Sequence, residues 1–155
     1  PAISPFSLPV ALPFSRGLAL HESFQSIFAQ VFEVSVGAGN FRVHKVHCAI
    51  DCGRYVNANM SRQQMEGAGS FGLSAALHEQ ISFKDGAVVN SNFHDYRVAR
   101  LSESPAVFVS IIENDEAPGG VGEPGVPPVA AAICNAIFSA TGKRIRHLPV
   151  ASQLI

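Results

Sequence analysis

The chain has 155 residues and a formal net charge of −1, with 47% hydrophobic and 15% charged residues. Its length predicts one domain with a hydrophobic core, and its hydrophobicity excludes a disordered chain. The near-zero charge argues against a nucleic-acid partner, and no apolar run reaches the roughly 18–20 residues of a membrane span. The charged fraction is well below the roughly 25% usual for globular domains, which indicates that part of the surface does not face water.

Two strands are predicted in the first third of the chain. Residues 1–16 contain four prolines and are expected to form an irregular lead-in, followed by a short apolar stretch at 17–20. Residues 27–36 alternate polar and apolar side chains in their later half, and residues 41–52 are rich in Val, His and Ile. With a turn at 37–40 between them, these segments predict an antiparallel hairpin.

A helix is predicted next, from 62 to 79. Ser61 and Gln64 have the S-x-x-Q spacing of a capping box, which makes Ser61 the expected N-cap. A second hairpin is predicted at 81–89, and a strand rich in β-branched residues at 105–112.

A second helix is predicted after a loop rich in Gly and Pro at 117–125. Pro127 and Pro128 suit the first helical turn, and Gly142 is a natural stop. Residues 144–146 are expected to add a short strand. The order of elements predicts the α+β fold class, with antiparallel hairpins and two buried helices.

The second predicted helix is apolar on nearly every side. A surface helix keeps one polar face, and a helix buried on every side is hard to arrange in a chain of this length. The pattern therefore predicts a chain that packs as part of a much larger protein.

Three glycines, Gly67, Gly69 and Gly72, have the spacing of a dinucleotide-binding fingerprint. That fingerprint needs a strand immediately before it, whereas these glycines fall inside the first predicted helix, and no βαβ unit is expected after them. Because each glycine costs roughly 1 kcal/mol in a helix interior, close approach to a neighbouring helix or a ligand is the expected compensation.

The histidines and cysteines in the second strand do not predict a metal site. His44 and His47 lie three apart and point to opposite faces of a strand, while Cys48 and Cys52 lie four apart, about 13 Å along it. We expect structural histidines and buried cysteines.

Gln64 and Glu123 are the polar residues with the strongest alternative interpretations. Gln64 either completes the capping box or binds a polar ligand near the positive end of the helix. Glu123 lies in a loop of small residues just before the apolar helix, where it is either a solvated acid or a general base.

Several stretches resemble the molybdenum-binding subunit of the xanthine oxidase family, especially its isoquinoline 1-oxidoreductase beta subunit and aldehyde dehydrogenase branch. The most specific is Gly-Val-Gly-Glu-Pro-Gly at 120–125. Ala58 departs from the pattern, since family members usually have proline there. The resemblance implies that residues 17–150 form the C-terminal part of a molybdopterin-cofactor-binding domain, with 151–155 as a tail. The stretches that carry it are RGLALHESF (16–24), AIDCG with VN (49–57), QMEG with FGLSAAL (64–77), SNFHDY (91–96), and GVGEPG with NAIF and TGKRIRHLP (120–149).

The resemblance implies a role for five residues. Glu123 would be the general base, which accepts a proton from a water-derived hydroxyl group as this attacks a carbon of an N-heteroaromatic ring or an aldehyde. Gln64, Asn57, Gly67 and Gly122 would contact a molybdopterin cofactor in its cytosine dinucleotide form. No side chain of this chain is expected to ligate the metal.

The implied partners are the remainder of the molybdenum subunit, a small [2Fe–2S] subunit that receives the electrons, and a small-molecule substrate. Other cofactor-binding loops of the family lie upstream of this sequence, so we expect the isolated chain to be inactive. We also expect it to self-associate through surfaces made for the absent remainder. The alternative is a non-catalytic assembly or binding module that retains the fold.

Overall fold

The computed structural model describes residues 14–37 and 40–154, so most of the predicted lead-in lies outside the described residues. Within them, strand β1 already begins at Phe14, three residues before the predicted boundary at 17. The elements in chain order are β1 (Phe14–Ser23), β2 (Ser26–Gly37), β3 (Asn40–Asp51), α1 (Ala58–Leu77), β4 (Phe83–Lys84), β5 (Ala87–Val88), a 3₁₀ turn (Leu101–Glu103), β6 (Ala106–Ile112), α2 (Pro127–Thr141) and a 3₁₀ turn (Ala151–Gln153).

Four strands form the main sheet in the order β1-β2-β3-β6, and β4 pairs with β5 in a separate small hairpin. The predicted hairpin of β2 and β3 is confirmed, and β1 adds a second antiparallel pair. Strand β6 pairs in parallel with β3, and α1 is the crossover between them. The fold is therefore α+β as predicted, but it contains one βαβ unit that the sequence interpretation did not anticipate.

Both helices cover the same face of the sheet. Helix α2 packs on β1 and β2, and α1 packs against α2 and β6. Alternate residues of β2 and β3 point into this layer and are buried. The alternation is interrupted in the later half of β2, where Glu33 and Ser35 are also buried and the pairing with β3 shifts register. The largest buried apolar side chains are Phe28, Phe32, Ile50, Met65, Leu73, Ile133 and Ile137.

Helix α1 begins four residues earlier than predicted, at Ala58. Asn57 is the N-cap, because its side-chain oxygen accepts hydrogen bonds from the backbone N–H groups of Asn59 and Met60. Ser61 is therefore not the cap; it lies inside the first turn, where its hydroxyl donates to the backbone oxygen of Asn57. Ala58 occupies the first helical position, which proline also suits, and this explains how the chain departs from the family pattern there without losing the helix.

Helix α2 begins and ends where the sequence predicts. Pro127 and Pro128 occupy the first turn, and Gly142 ends the helix in the left-handed conformation, with φ of 72°. The helix is not buried on every side: Ala131 and Phe138 are exposed on the face away from the sheet. In the described part of the chain, no helix is both long and apolar enough to cross a membrane.

The predicted short strand at 144–146 is wrong. These residues have no strand pairing and follow α2 as an irregular segment. The guanidinium of Arg144 instead lies 3.5 Å from the ring centre of Phe138, and it donates to the side-chain oxygen of Asn135. A cation–π contact and a hydrogen bond therefore hold the segment where the sequence suggested a ladder.

The face of the sheet away from the helices is exposed and largely apolar. We call it the outer sheet face, and its central row runs from Leu18 through Val31 and His47 to Phe108, one residue from each strand. Leu18 is 58% exposed and Phe108 is 50% exposed. A sheet with one apolar face left uncovered is the structural counterpart of the low charged fraction.

We predict opposite effects for a matched pair of substitutions in α1. The two positions are Gly69 and Gly72. Replacing a glycine in a helix interior by alanine stabilises the helix by about 1 kcal/mol when nothing else changes. A methyl group at Gly72 would lie 2.6 Å from Cγ2 of Val129 on α2, whereas one at Gly69 would meet nothing within 4 Å. Gly72→Ala should therefore lower the free energy of unfolding by about 1–3 kcal/mol, and Gly69→Ala should raise it. Urea denaturation measures both, and equal effects would contradict the tight contact between the helices.

Candidate functional site

A groove of 390 Å³ lies between the start of α1, the segment after β3 and the loop that precedes α2. Three of the five residues predicted for the site, Asn57, Gln64 and Gly122, line it. The residues that line the groove are Cys52, Arg54, Tyr55, Val56, Asn57, Met60, Ser61, Gln64, Pro118, Gly119, Val121 and Gly122.

One face of α1 accounts for the polar wall of the groove. Asn57, Met60, Ser61 and Gln64 follow the spacing of residues that share a helix face. Because Asn57 is the true N-cap, Gln64 is released from the capping box and its exposed amide faces the groove. Gly67 follows three residues later, is exposed, and has open space beside it, since an added Cβ would meet nothing within 4 Å.

The opposite wall is the loop at 117–126, which we call the glycine loop. The first part of its backbone is hydrogen-bonded to segments that adjoin the sheet. The N–H of Gly119 donates to the backbone oxygen of Cys52 at 2.8 Å, and the N–H of Gly120 donates to the backbone oxygen of Phe24 at 2.8 Å. These bonds hold the loop against the end of β3 and the turn between β1 and β2.

Glu123 directly follows the groove residue Gly122 and is exposed. Its backbone is constrained on the C-terminal side, where the N–H of Val126 donates to the backbone oxygen of Glu123 at 2.9 Å. Pro124 and Gly125 are buried. The carboxylate thus projects from a turn whose following residues are packed into the protein.

The sequence interpretation missed several groove residues, and two of them, Arg54 and Tyr55, have side chains that can bind polar groups. Arg54 supplies the charge among the lining residues, and Tyr55 donates its hydroxyl hydrogen bond to Oε1 of Glu113. That hydrogen bond to a carboxylate is the main reason why the pKa of Tyr55 lies above its usual value. The sequence did contain a signal for Arg54: it is a basic residue a few positions before the start of a helix.

A hydrogen bond between the ends of two strands supports this side of the groove. The side-chain amide of Asn114 donates to Oδ1 of Asp51 at 2.7 Å, which links the segment after β6 to the end of β3. The backbone N–H of Arg54 donates to the backbone oxygen of Glu116 at 3.1 Å. The entry to the glycine loop and the approach to α1 are therefore held together.

The histidines of β3, together with Cys48 and Cys52, have structural surroundings, as predicted. His44 is hydrogen-bonded to Ser35, and His47 stacks on Phe108 with ring centres 5.0 Å apart. Cys48 and Cys52 are buried, and burial raises the pKa of the Cys48 thiol to about 11. Within residues 14–37 and 40–154, no group of three or more His, Cys, Asp or Glu side chains is arranged to hold a metal ion.

This chain is similar to known proteins both in sequence and in fold. Residues 18–105 match the molybdopterin cofactor-binding domain family. Isoquinoline 1-oxidoreductase subunit beta of Brevundimonas diminuta is 39% identical over 112 residues, which cover 72% of this chain and 14% of that protein. The aldehyde oxidoreductase molybdenum-binding subunit of Escherichia coli is 35% identical over 145 residues, which cover 86% of this chain and 20% of that protein.

A solved structure supports the fold. Quinoline 2-oxidoreductase from Pseudomonas putida 86 superposes with a TM-score of 0.74, over 81% of this chain and 17% of that chain, at 20% sequence identity. At that identity the likeness concerns the fold alone.

A groove between a helix start and a glycine-rich loop, beside an α+β layer, is the kind of concave site in which small molecules bind. The family match covers more than half of the chain, so the chain belongs to the molybdopterin cofactor-binding domains of the xanthine oxidase family. The resemblance drawn from the motifs is thereby confirmed. The chain spans 14% and 20% of the length of the two relatives described above.

The assignment of Asn57 as the N-cap of α1 predicts how strongly substitutions at Asn57 and Ser61 lower the free energy of unfolding. Asn57→Ala removes the side-chain acceptor of two backbone N–H groups and should lower the free energy of unfolding by about 1 kcal/mol. Asn57→Asp keeps an acceptor at the same position and should cost less. Ser61→Ala serves as the control for the predicted capping box that the structure does not contain. Chemical denaturation measures all three variants, and a larger loss for Ser61→Ala than for Asn57→Ala would contradict the assignment.

Proposed function

We propose that this chain is the C-terminal segment of the molybdenum-binding subunit of a molybdenum hydroxylase, which oxidises an N-heteroaromatic ring or an aldehyde. Glu123 acts as the general base. The observation that supports this most directly is the meeting of Asn57, Gln64 and Gly122 at one groove, with Glu123 as the next residue of the same loop.

The lining residues support binding of a molybdopterin cofactor, and we propose that it is the cytosine dinucleotide form. Gln64 offers an amide group that can both donate and accept hydrogen bonds. The side-chain oxygen of Asn57 is used in the cap, which leaves its amide nitrogen as the donor toward a ligand. Arg54 offers a positive charge at the start of α1, where the helix dipole also favours phosphate groups. Gly122, with no side chain, and the open space beside Gly67 admit close approach. The bound cofactor supplies the metal-centred oxidation chemistry.

The part played by Glu123 is proton transfer. As a water-derived hydroxyl group forms its bond to the substrate carbon, the carboxylate of Glu123 accepts the proton. An exposed position at the edge of the groove suits this role, because the carboxylate must reach a group that the rest of the subunit helps to hold. A carboxylate on a loop with fixed backbone also keeps its distance to that group from one turnover to the next.

The outer sheet face supports a further part of the proposal, the contact with the remainder of the molybdenum subunit. Leu18, Leu20 and Phe108 are each at least half exposed on this face. Exposed apolar surface of this kind marks a contact surface. The isolated chain is then inactive, since the rest of the site belongs to the remainder of the subunit, and the electrons pass to a small [2Fe–2S] subunit only in the complete enzyme.

Glu123→Gln tests the general base. In the complete enzyme this substitution should reduce turnover by about 10²–10⁴-fold, because general-base catalysis contributes that much, while the molybdenum content stays unchanged. Glu116→Gln is the matched control, since it makes the same change at another exposed glutamate just ahead of the glycine loop. Steady-state kinetics and metal analysis measure both variants. Near-normal turnover by Glu123→Gln would remove the role.

The exposed outer sheet face leads us to predict how the isolated chain associates. We expect it to self-associate at high concentration, and Leu18→Glu to shift it toward monomer by placing a charge in the apolar face. Phe83→Ser is the control, because Phe83 is 71% exposed but lies on the β4–β5 hairpin. Analytical ultracentrifugation measures the association. A monomeric wild-type chain, or an equal effect of the two substitutions, would contradict the assignment of this face.

A further inference from the structure

Two buried polar side chains of β2 reach the glycine loop on the two sides of Glu123. The hydroxyl of Ser26 donates to the backbone oxygen of Gly120 at 2.7 Å, and Nε2 of Gln30 donates to the backbone oxygen of Gly125 at 2.9 Å. Ser26 is 1% exposed and Gln30 is fully buried. Residues four apart on a strand lie on the same face, about 13 Å apart, so the two side chains reach the loop from separate points of one rigid strand.

Gln30 is an unusual choice for its position. It lies between Phe28 and Phe32 on the face of β2 that forms the core, where an apolar side chain would fill the same space. Its Oε1 is buried and has no hydrogen-bond partner among the described residues, so the amide retains part of its desolvation cost. The bond from Nε2 to Gly125 is what the amide contributes in return. Only the NH₂ group of the amide can donate to a carbonyl oxygen, so this bond defines the orientation of the Gln30 side-chain amide.

The loop fits closely at the point that Gln30 holds. A Cβ added at Gly125 would lie 2.7 Å from Cβ of Ala68 on α1, so the loop backbone packs directly on that helix. At the other anchor, a Cβ at Gly120 would lie 2.7 Å from Cβ of Phe24. Each hydrogen bond from β2 therefore acts on a stretch of loop that is also fixed by packing, and Glu123 lies between the two stretches.

We propose that Ser26 and Gln30 are positioning residues for Glu123: they clamp the glycine loop at Gly120 and Gly125 and thereby set where the carboxylate stands. The inference rests on the proposed role of Glu123 as general base. Neither side chain lines the groove, and both act through the loop backbone. Small displacements of a reacting group change rates strongly, so loss of either anchor should affect catalysis more than binding.

The test compares Gln30→Met and Ser26→Ala with two controls in the complete enzyme. Gln30→Met keeps a side chain of similar length and removes the amide. Ser35→Ala removes another buried hydroxyl of β2, one that is hydrogen-bonded to His44 and not to the loop. Ile50→Val removes a buried methyl group from the same core layer, and it controls for a general loss of packing.

The first measurement is hydrogen exchange of the glycine loop, which does not depend on activity. The N–H groups of Gly120 and Val126 are hydrogen-bonded in the folded protein. Gln30→Met and Ser26→Ala should speed exchange of the peptide that contains them at least tenfold, while Ser35→Ala and Ile50→Val leave it unchanged. Unchanged exchange in both clamp variants, or equal acceleration in the controls, would overturn the inference.

The second measurement separates positioning from a structural role. Gln30→Met should lower kcat about 10- to 100-fold, with KM and molybdenum content within twofold of wild type. In a Glu123→Asp background, Gln30→Met should lower kcat much less than it does in the wild type, because residues that act through one group are not additive.

The outcomes distinguish the two proposals. Wild-type turnover by Glu123→Gln would remove the general base, and the exchange result would still decide whether the clamp exists. An inactive Glu123→Gln enzyme together with a fully active Gln30→Met enzyme would overturn the positioning role alone. The same loss of kcat from Gln30→Met in the wild-type and Glu123→Asp backgrounds would also overturn it.

Discussion

The glycine loop depends on partners outside itself, and this constraint shapes the rest of the site. A buried backbone N–H or C=O group has to be hydrogen-bonded, and a loop outside any strand ladder needs partners elsewhere for most of these groups. The loop donates from Gly119 to Cys52 and from Gly120 to Phe24, and it accepts from Ser26 and Gln30. The groove exists because the loop is held against the sheet while α1 starts beside it.

Glycine in this loop follows from the same constraint. The loop lies so close to the β1–β2 turn and to α1 that side chains at Gly120 or Gly125 would overlap Phe24 or Ala68. The turn itself is strained, since Phe24 and Gln25 both have positive φ, of 53° and 61°. Packing on one side and hydrogen bonds on the other keep that conformation in place. A motif that looks like a flexible stretch in the sequence is therefore a constrained part of the structure.

Local chemistry explains which elements could be predicted. Pro127 and Gly142 set the ends of α2 because both act through their own backbone conformation. The start of α1 was predicted wrongly because Ser61 and Gln64 imitate a capping box, and local spacing does not show that Asn57 is already in place to cap. The short strand at 144–146 failed for a related reason: Arg144 pairs with α2 instead of a neighbouring strand.

The sequence by itself determined the hairpin of β2 and β3, the extent of α2, the fold class and, through its motifs, the family. It also indicated, through its low charge, that some surface is meant for contact. Only the tertiary structure decided that Gln64 faces a groove shared with Gly122, that Ser26 and Gln30 hold the loop around Glu123, and that the outer sheet face is the exposed apolar surface. The reason is physical. Helix ends and strand alternation depend on neighbouring residues, whereas these contacts join residues some 60 to 95 positions apart and exist only once the layers have packed.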